Sequence, residues 1–158
     1  MAWTHFWDMN SGGGRKENFK HLFIEAPRSE AIRIFTNRFD HHPERVTCTC
    51  CGSDYSISPW DYDEDDPDPD EEESTLEGLS RYHRESFVTH ALNLYDKHRD
   101  SYGSVDYKAV QAEARKLIIP VEEWEKQDDT VLIIRAHEIT KEERSGPDRA
   151  PGGYVWMD

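Results

Sequence analysis

Leu22-Phe23-Ile24-Glu25-Ala26-Pro27-Arg28-Ser29-Glu30-Ala31-Ile32-Arg33-Ile34-Phe35 changes its hydrophobic period halfway along, and that change decides the fold. Leu22 to Ala26 is a short apolar run of strand length. Pro27 then stands where a helix can begin, because a missing amide hydrogen costs nothing in the first turn. Ala31, Ile34, Phe35 and Phe39 follow at helical spacing, and the helix ends before Pro43. Upstream, Trp3, His5 and Trp7 alternate with residues of the other face, so a first strand precedes the Asn10-Ser11-Gly12-Gly13-Gly14 turn. Downstream, Arg45-Val46-Thr47-Cys48 and Asp54-Tyr55-Ser56-Ile57 are strand-like pieces on either side of a tight turn. The order β-β-α-β-β predicts a small sheet with a helix laid on one face.

The second half of the chain adds helices. Leu76, Leu79, Phe87, Ala91, Leu94 and Tyr95 recur at three- and four-residue steps and predict an amphipathic helix through about residue 97. Val105 to Leu117 predicts another, stopped before Pro120. Asp129-Thr130-Val131-Leu132-Ile133-Ile134-Arg135-Ala136 has the β-branched density of a strand, and a charged turn or short helix follows through Arg144. Tyr154-Val155-Trp156-Met157 is apolar and is expected to dock as a final strand. The fold class is α+β: a small, mostly antiparallel sheet with two to four helices packed on it. A length of 158 residues predicts one domain, 1–158, interrupted by an acidic linker at 61–73.

Charge excludes one function class. The net charge is −14, whereas binding to a phosphate backbone needs clustered Lys and Arg, so direct nucleic-acid binding is not expected. Ten of the negative charges lie in Asp61-Tyr62-Asp63-Glu64-Asp65-Asp66-Pro67-Asp68-Pro69-Asp70-Glu71-Glu72-Glu73, and removing them leaves −4. Mutual repulsion and two prolines forbid a regular helix there, which predicts an extended, disordered linker. Its plain role is solvation. Its sharper role is contact with a basic partner or a divalent cation through Asp63, Glu64, Asp65, Asp66, Asp68 and Asp70. No run approaches eighteen apolar residues, and the N-terminus lacks the basic start and apolar stretch of a signal peptide. A soluble cytoplasmic protein without membrane contact is expected.

All three cysteines fall within Cys48-Thr49-Cys50-Cys51-Gly52. Neighbouring cysteines make poor disulfides, and an odd count leaves one over. Cys48-x-x-Cys51-Gly52 has the form of a metal knuckle, in which two thiolates on a turn face one ion. A structural zinc would take Cys48 and Cys51, with Cys50 as a substitute and the remaining ligands imidazoles, His41 and His42 being nearest in sequence, or carboxylates. The competing reading is a turn whose cysteines pack as small hydrophobes.

Other constellations are incomplete. Asp40-His41-His42 has the letters of a phosphoesterase motif without its further aspartates, and it also fits a helix end capped before Pro43. Ser11-Gly12-Gly13-Gly14-Arg15-Lys16 could cradle a phosphate with amides and two cations, but it lacks the spacing of a P-loop. A flexible hairpin connection is the simpler reading. A hydrolytic site would need His5, Asp8, His41 and His42 to converge in one cleft. The tryptophans serve packing, with Trp3 and Trp7 as candidates for a partner surface should they be exposed.

Thr4-His5-Phe6-Trp7-Asp8-Met9 with Ser11-Gly12-Gly13-Gly14, Ile24-Glu25-Ala26-Pro27, Asn37-Arg38-Phe39 and Pro43 through Ser56 resemble a family of small uncharacterised proteins encoded by tailed bacteriophages. Arg135-Ala136-His137-Glu138-Ile139 and Gly153-Tyr154-Val155-Trp156 are similar as well. The resemblance implies a phage or prophage origin and a host cytoplasm, and implies no catalytic residue. The expected function is therefore an accessory protein, more a binder than an enzyme, that modulates or inhibits a host protein. The alternative is a small zinc-stabilised domain with nucleotide-directed or hydrolytic activity.

Overall fold

A computed structural model describes residues 2–49, 52–58 and 75–145. Strand β1 (Thr4–Asp8) is central: it pairs antiparallel with β2 (His21–Ile24) on one side and with β5 (Tyr55–Ser58) on the other. Strand β6 (Val131–Ile134) joins β2 in parallel, giving the order β5-β1-β2-β6. The register sets Phe6 opposite both Leu22 and Ile57, Thr4 opposite Ile24, and Asp8 opposite Tyr55. Because side chains alternate along a strand, these residues share one face. Helix α1 (Arg28–Phe39) covers it, burying Ala31, Ile34 and Phe35 against Phe6, Leu22, Ile24, Tyr55 and Ile57. Phe35 is the hub, with ring centroids 5.0 Å from Phe6, 4.9 Å from Phe39 and 4.9 Å from Tyr55.

The strand-to-helix switch at Pro27 is as the sequence predicts, with Pro27 extended just before the first turn. The other end stops at Asp40, whose left-handed backbone (φ 61°) lets its amide donate to the Thr36 carbonyl at 3.0 Å. The two strand-like pieces around the cysteines do not form one hairpin. Among the described residues, strand β3 (Val46–Cys48) pairs with the short β4 (Gly52–Ser53), whereas Tyr55 and Ile57 carry the buried period and join the main sheet beside β1. Near the C-terminal end of the described chain, α6 (Lys141–Ser145) docks on α1 through a forked Arg38–Glu143 pair and an Arg144–Glu30 pair.

Contacts divide the chain into two compact units, Met1–Leu79 with Asp128–Asp158, and Ser80–Gln127. The second unit is helical. Helix α2 (Leu76–Ala91) runs into it, followed by α3 (Leu94–Lys97), α4 (Tyr107–Lys116) and α5 (Val121–Gln127). Val88, Leu94, Val110 and Ala114 form its core. The single helix expected through residue 97 is broken at Asn93 (φ 53°), a residue that tolerates the left-handed region and whose side chain donates to Asp96 at 2.8 Å. Helix α5 carries no sequence forecast: seven residues give too little periodicity, although Glu122 and Glu123 in its first turn and Lys126 in its last complement the helix dipole. The expected linker at 61–73 and the expected strand at 154–157 lie outside the described residues.

Candidate functional site

The glycine loop is not a vacant cradle. Asp8, buried at the end of β1, accepts from the amides of Asn10 at 2.7 Å and Lys16 at 3.0 Å, so an internal carboxylate occupies the place of a bound anion. Lys16 Nζ donates to the loop's own Ser11 and Gly14 carbonyls. Ser11 Oγ accepts from the Cys48 amide at 3.0 Å and donates to the Gly52 carbonyl at 3.2 Å, which fastens the loop to the cysteine hairpin. Gly12, at φ +77°, lies so close to that hairpin that a Cβ would sit 2.9 Å from Thr47 Cγ2. The ligand-loop reading is thus replaced by a structural one.

Of the proposed zinc ligands, Cys50 and Cys51 lie outside the described residues. Cys48 ends β3, half-buried. His42 accepts the Glu44 amide at its Nδ1 (3.0 Å), a local turn contact. No three described His, Cys, Asp or Glu side chains that include Cys48 or His42 converge at ligand distances.

The four residues of the hydrolytic reading do not meet. His5 Nε2 and His21 Nδ1 lie 3.0 Å apart, sharing a proton on the face of β1 opposite Asp8. His41 Nε2 pairs with Glu17 at 3.0 Å and its ring stacks on Tyr55. Tyr55 is the most perturbed group here: burial first, then the Asp8, Glu17 and Asp54 carboxylates, push its phenol far above the ordinary tyrosine range. Arg45 holds one Asp54 oxygen at 3.0 Å, while Asp54 Oδ1, Tyr55 Oη and His41 Nδ1 find no partner among the described residues.

The six acidic contact candidates between Asp63 and Asp70 fall outside the described residues. Trp3 and Trp7 are half-buried, and Trp7 stacks 5.9 Å from His21. Among the described residues, the most exposed aromatics lie on the helical unit. Tyr102 is 94% exposed, Tyr82 69% and Tyr107 68%. Tyr102 tops a turn that is held rigid: Asp100 Oδ1 accepts from the amides of Tyr102 (2.8 Å) and Ser104 (2.9 Å), and Asp100 N donates to the Ser104 carbonyl. Arg99 bridges to Val105 across the base, and Gly103 (φ +85°) closes the reversal. Behind it, Tyr95 and Tyr107 cross at 69° with centroids 6.0 Å apart and form a wall shared by two concavities of about 210 and 590 Å³. The unit has eight acidic and eight basic residues between Ser80 and Gln127, so the net −14 resides wholly outside it. The sequence signal for Tyr102 is Asp100-Ser101-Tyr102-Gly103, a turn signature with an aromatic at its tip; Tyr82 and Tyr107 carry no comparable local signal.

Among the described residues no helix is long and apolar enough to cross a membrane. Compared with protein-family models, with curated proteins and with solved structures, the chain finds no match.

Proposed function

We propose that this chain is a non-catalytic accessory protein of phage origin that binds a host cytoplasmic protein and modulates or inhibits it through the tyrosine face of its helical unit. The observation that carries this reading is Tyr102, almost fully exposed on a turn whose backbone is fixed by Asp100. An aromatic side chain held out on a rigid loop loses little entropy on binding, and tyrosine supplies both apolar area and a hydroxyl. Tyr82 and Tyr107 extend the same chemistry over the unit. Charge supports a basic partner: the neutral unit can approach closely while the acidic remainder of the chain steers the encounter.

The test is quantitative co-purification of the tagged full chain from the bacterial host, side by side with a Tyr82→Ser/Tyr102→Ser/Tyr107→Ser variant. These exposed sites leave the core intact. A host protein enriched by the wild type and lost with the variant supports the reading. Equal recovery by both, or no enrichment at all, removes it.

A further inference from the structure

Tyr82 on α2, Tyr95 on α3 and Tyr107 on α4 line the smaller concavity, of about 210 Å³, with Glu85 in its lining. Tyr95 and Tyr107 meet edge to face, so the wall presents π-faces in two orientations. Glu85 is mostly buried, and Arg115 reaches only its Oε1, at 3.3 Å. Among the described residues no hydrogen bond or ion pair engages Oε2. Three aromatic rings beside a carboxylate make an environment for a cation: ring quadrupoles attract positive charge, and the carboxylate supplies a full opposite charge. Of the unit's cations, Lys97 and His98 pair with Glu113 and Arg99 with Asp96, Arg84 donates to Ser80 Oγ and the Ile119 carbonyl, and Arg115 is the one that reaches Glu85, at a single oxygen.

Resting on the binding reading above, we infer that this cleft is an aromatic cage for a basic side chain, an arginine or lysine presented by the protein partner. Its volume admits the cationic head and last methylenes of one such side chain. The unit itself is neutral, so selection at the cleft comes from its rings and Glu85, while the acidic remainder of the chain attracts a basic partner at longer range. Tyr102, on the neighbouring turn, then anchors beside the caged cation.

The test uses the full chain with ¹³C-labelled tyrosines, titrated with N-acetyl-arginine amide and, in parallel, with N-acetyl-citrulline amide, which has the same shape without the charge. The expected result is a saturable shift of the Tyr82, Tyr95 and Tyr107 ring signals with the arginine probe, and binding of citrulline weaker by roughly tenfold. Tyr82→Leu and Glu85→Gln each weaken the arginine probe by roughly fivefold to tenfold. Tyr82 is exposed and its loss does not threaten folding, so Tyr82→Leu remains decisive if Glu85→Gln proves unstable. Equal binding of the two probes, no saturation, or shifts that survive Tyr82→Leu overturn the inference. A host protein captured through the tyrosine face but not competed by the arginine probe overturns the cage and leaves the binding reading standing; arginine binding without any captured partner does the reverse.

Discussion

Ser11→Ala removes one oxygen and cuts both ties between the glycine loop and the cysteine hairpin. Ser11 is fully buried, and its Oγ accepts from the Cys48 amide at 3.0 Å while donating to the Gly52 carbonyl at 3.2 Å. A neutral hydrogen bond contributes about 1 kcal/mol net, and a buried backbone group left unpaired costs about 1–3 kcal/mol. The Gly52 bond is long and its carbonyl keeps a second lone pair, so most of the loss falls on the Cys48 amide. About 2 kcal/mol in total follows. With a urea slope of about 2 kcal/mol/M, the unfolding midpoint falls by about 1 M. If the loss is felt locally, exchange of the Cys48 amide quickens by about 30-fold, since each 1.4 kcal/mol is tenfold. Urea titration and amide exchange on the full chain read both quantities, with Ser29→Ala on the exposed face of α1 as the neutral control. A midpoint within about 0.2 M of wild type, together with unchanged exchange at Cys48, would refute the claim that Ser11 couples loop to hairpin.

Phe35→Ala, at the hub of the core, costs about 3–5 kcal/mol, read as a lowered thermal and urea midpoint, whereas Phe35→Leu costs clearly less. Gly12→Ala is destabilising by about 1–3 kcal/mol because φ +77° and the Thr47 methyl both oppose a Cβ; Gly13→Ala, at φ +89° with open space around it, carries the backbone penalty alone and so separates the steric contribution. Burial works against ionisation of Glu143, yet hydrogen bonds from Arg38 and Thr140 prevail and hold its carboxyl below the ordinary 4.5. A depressed folded value stabilises above pH 4.5 and loses that stabilisation as pH falls through it, so protection of the α6 amides should drop with acid in wild type and show a flatter profile in Glu143→Gln. Asp100→Ala frees the Tyr102 and Ser104 amides, which should then exchange roughly fivefold to tenfold faster, with the rest of the helical unit unchanged.

Much of the architecture is legible along the chain because the forces that write it are local. The apolar run at Leu22, the break at Pro27 and the 3–4 spacing of Ala31, Ile34 and Phe35 specify strand, corner and helix from neighbours alone. Val131 to Ile134 declares itself in the same way. The failures come where a residue's role depends on a distant partner. The sequence marks Tyr55 and Ile57 as strand-like without naming their partner, and their buried two-residue period finds its complement at Phe6 and Asp8 on β1. Asn93 ends a helix whose hydrophobic spacing continues past it, because one left-handed residue outweighs periodicity.

The site follows the same division. Sequence alone determined that the protein is an α+β chain, since hydrophobic period and turn chemistry are properties of adjacent residues. Only the tertiary structure decided that Asp8 fills the glycine loop, that Ser11 reaches across 37 residues to Cys48, and that Tyr82, Tyr102 and Tyr107 face outward. Exposure and hydrogen-bond pairing are set by which surfaces come together when the chain folds, and no local pattern encodes that.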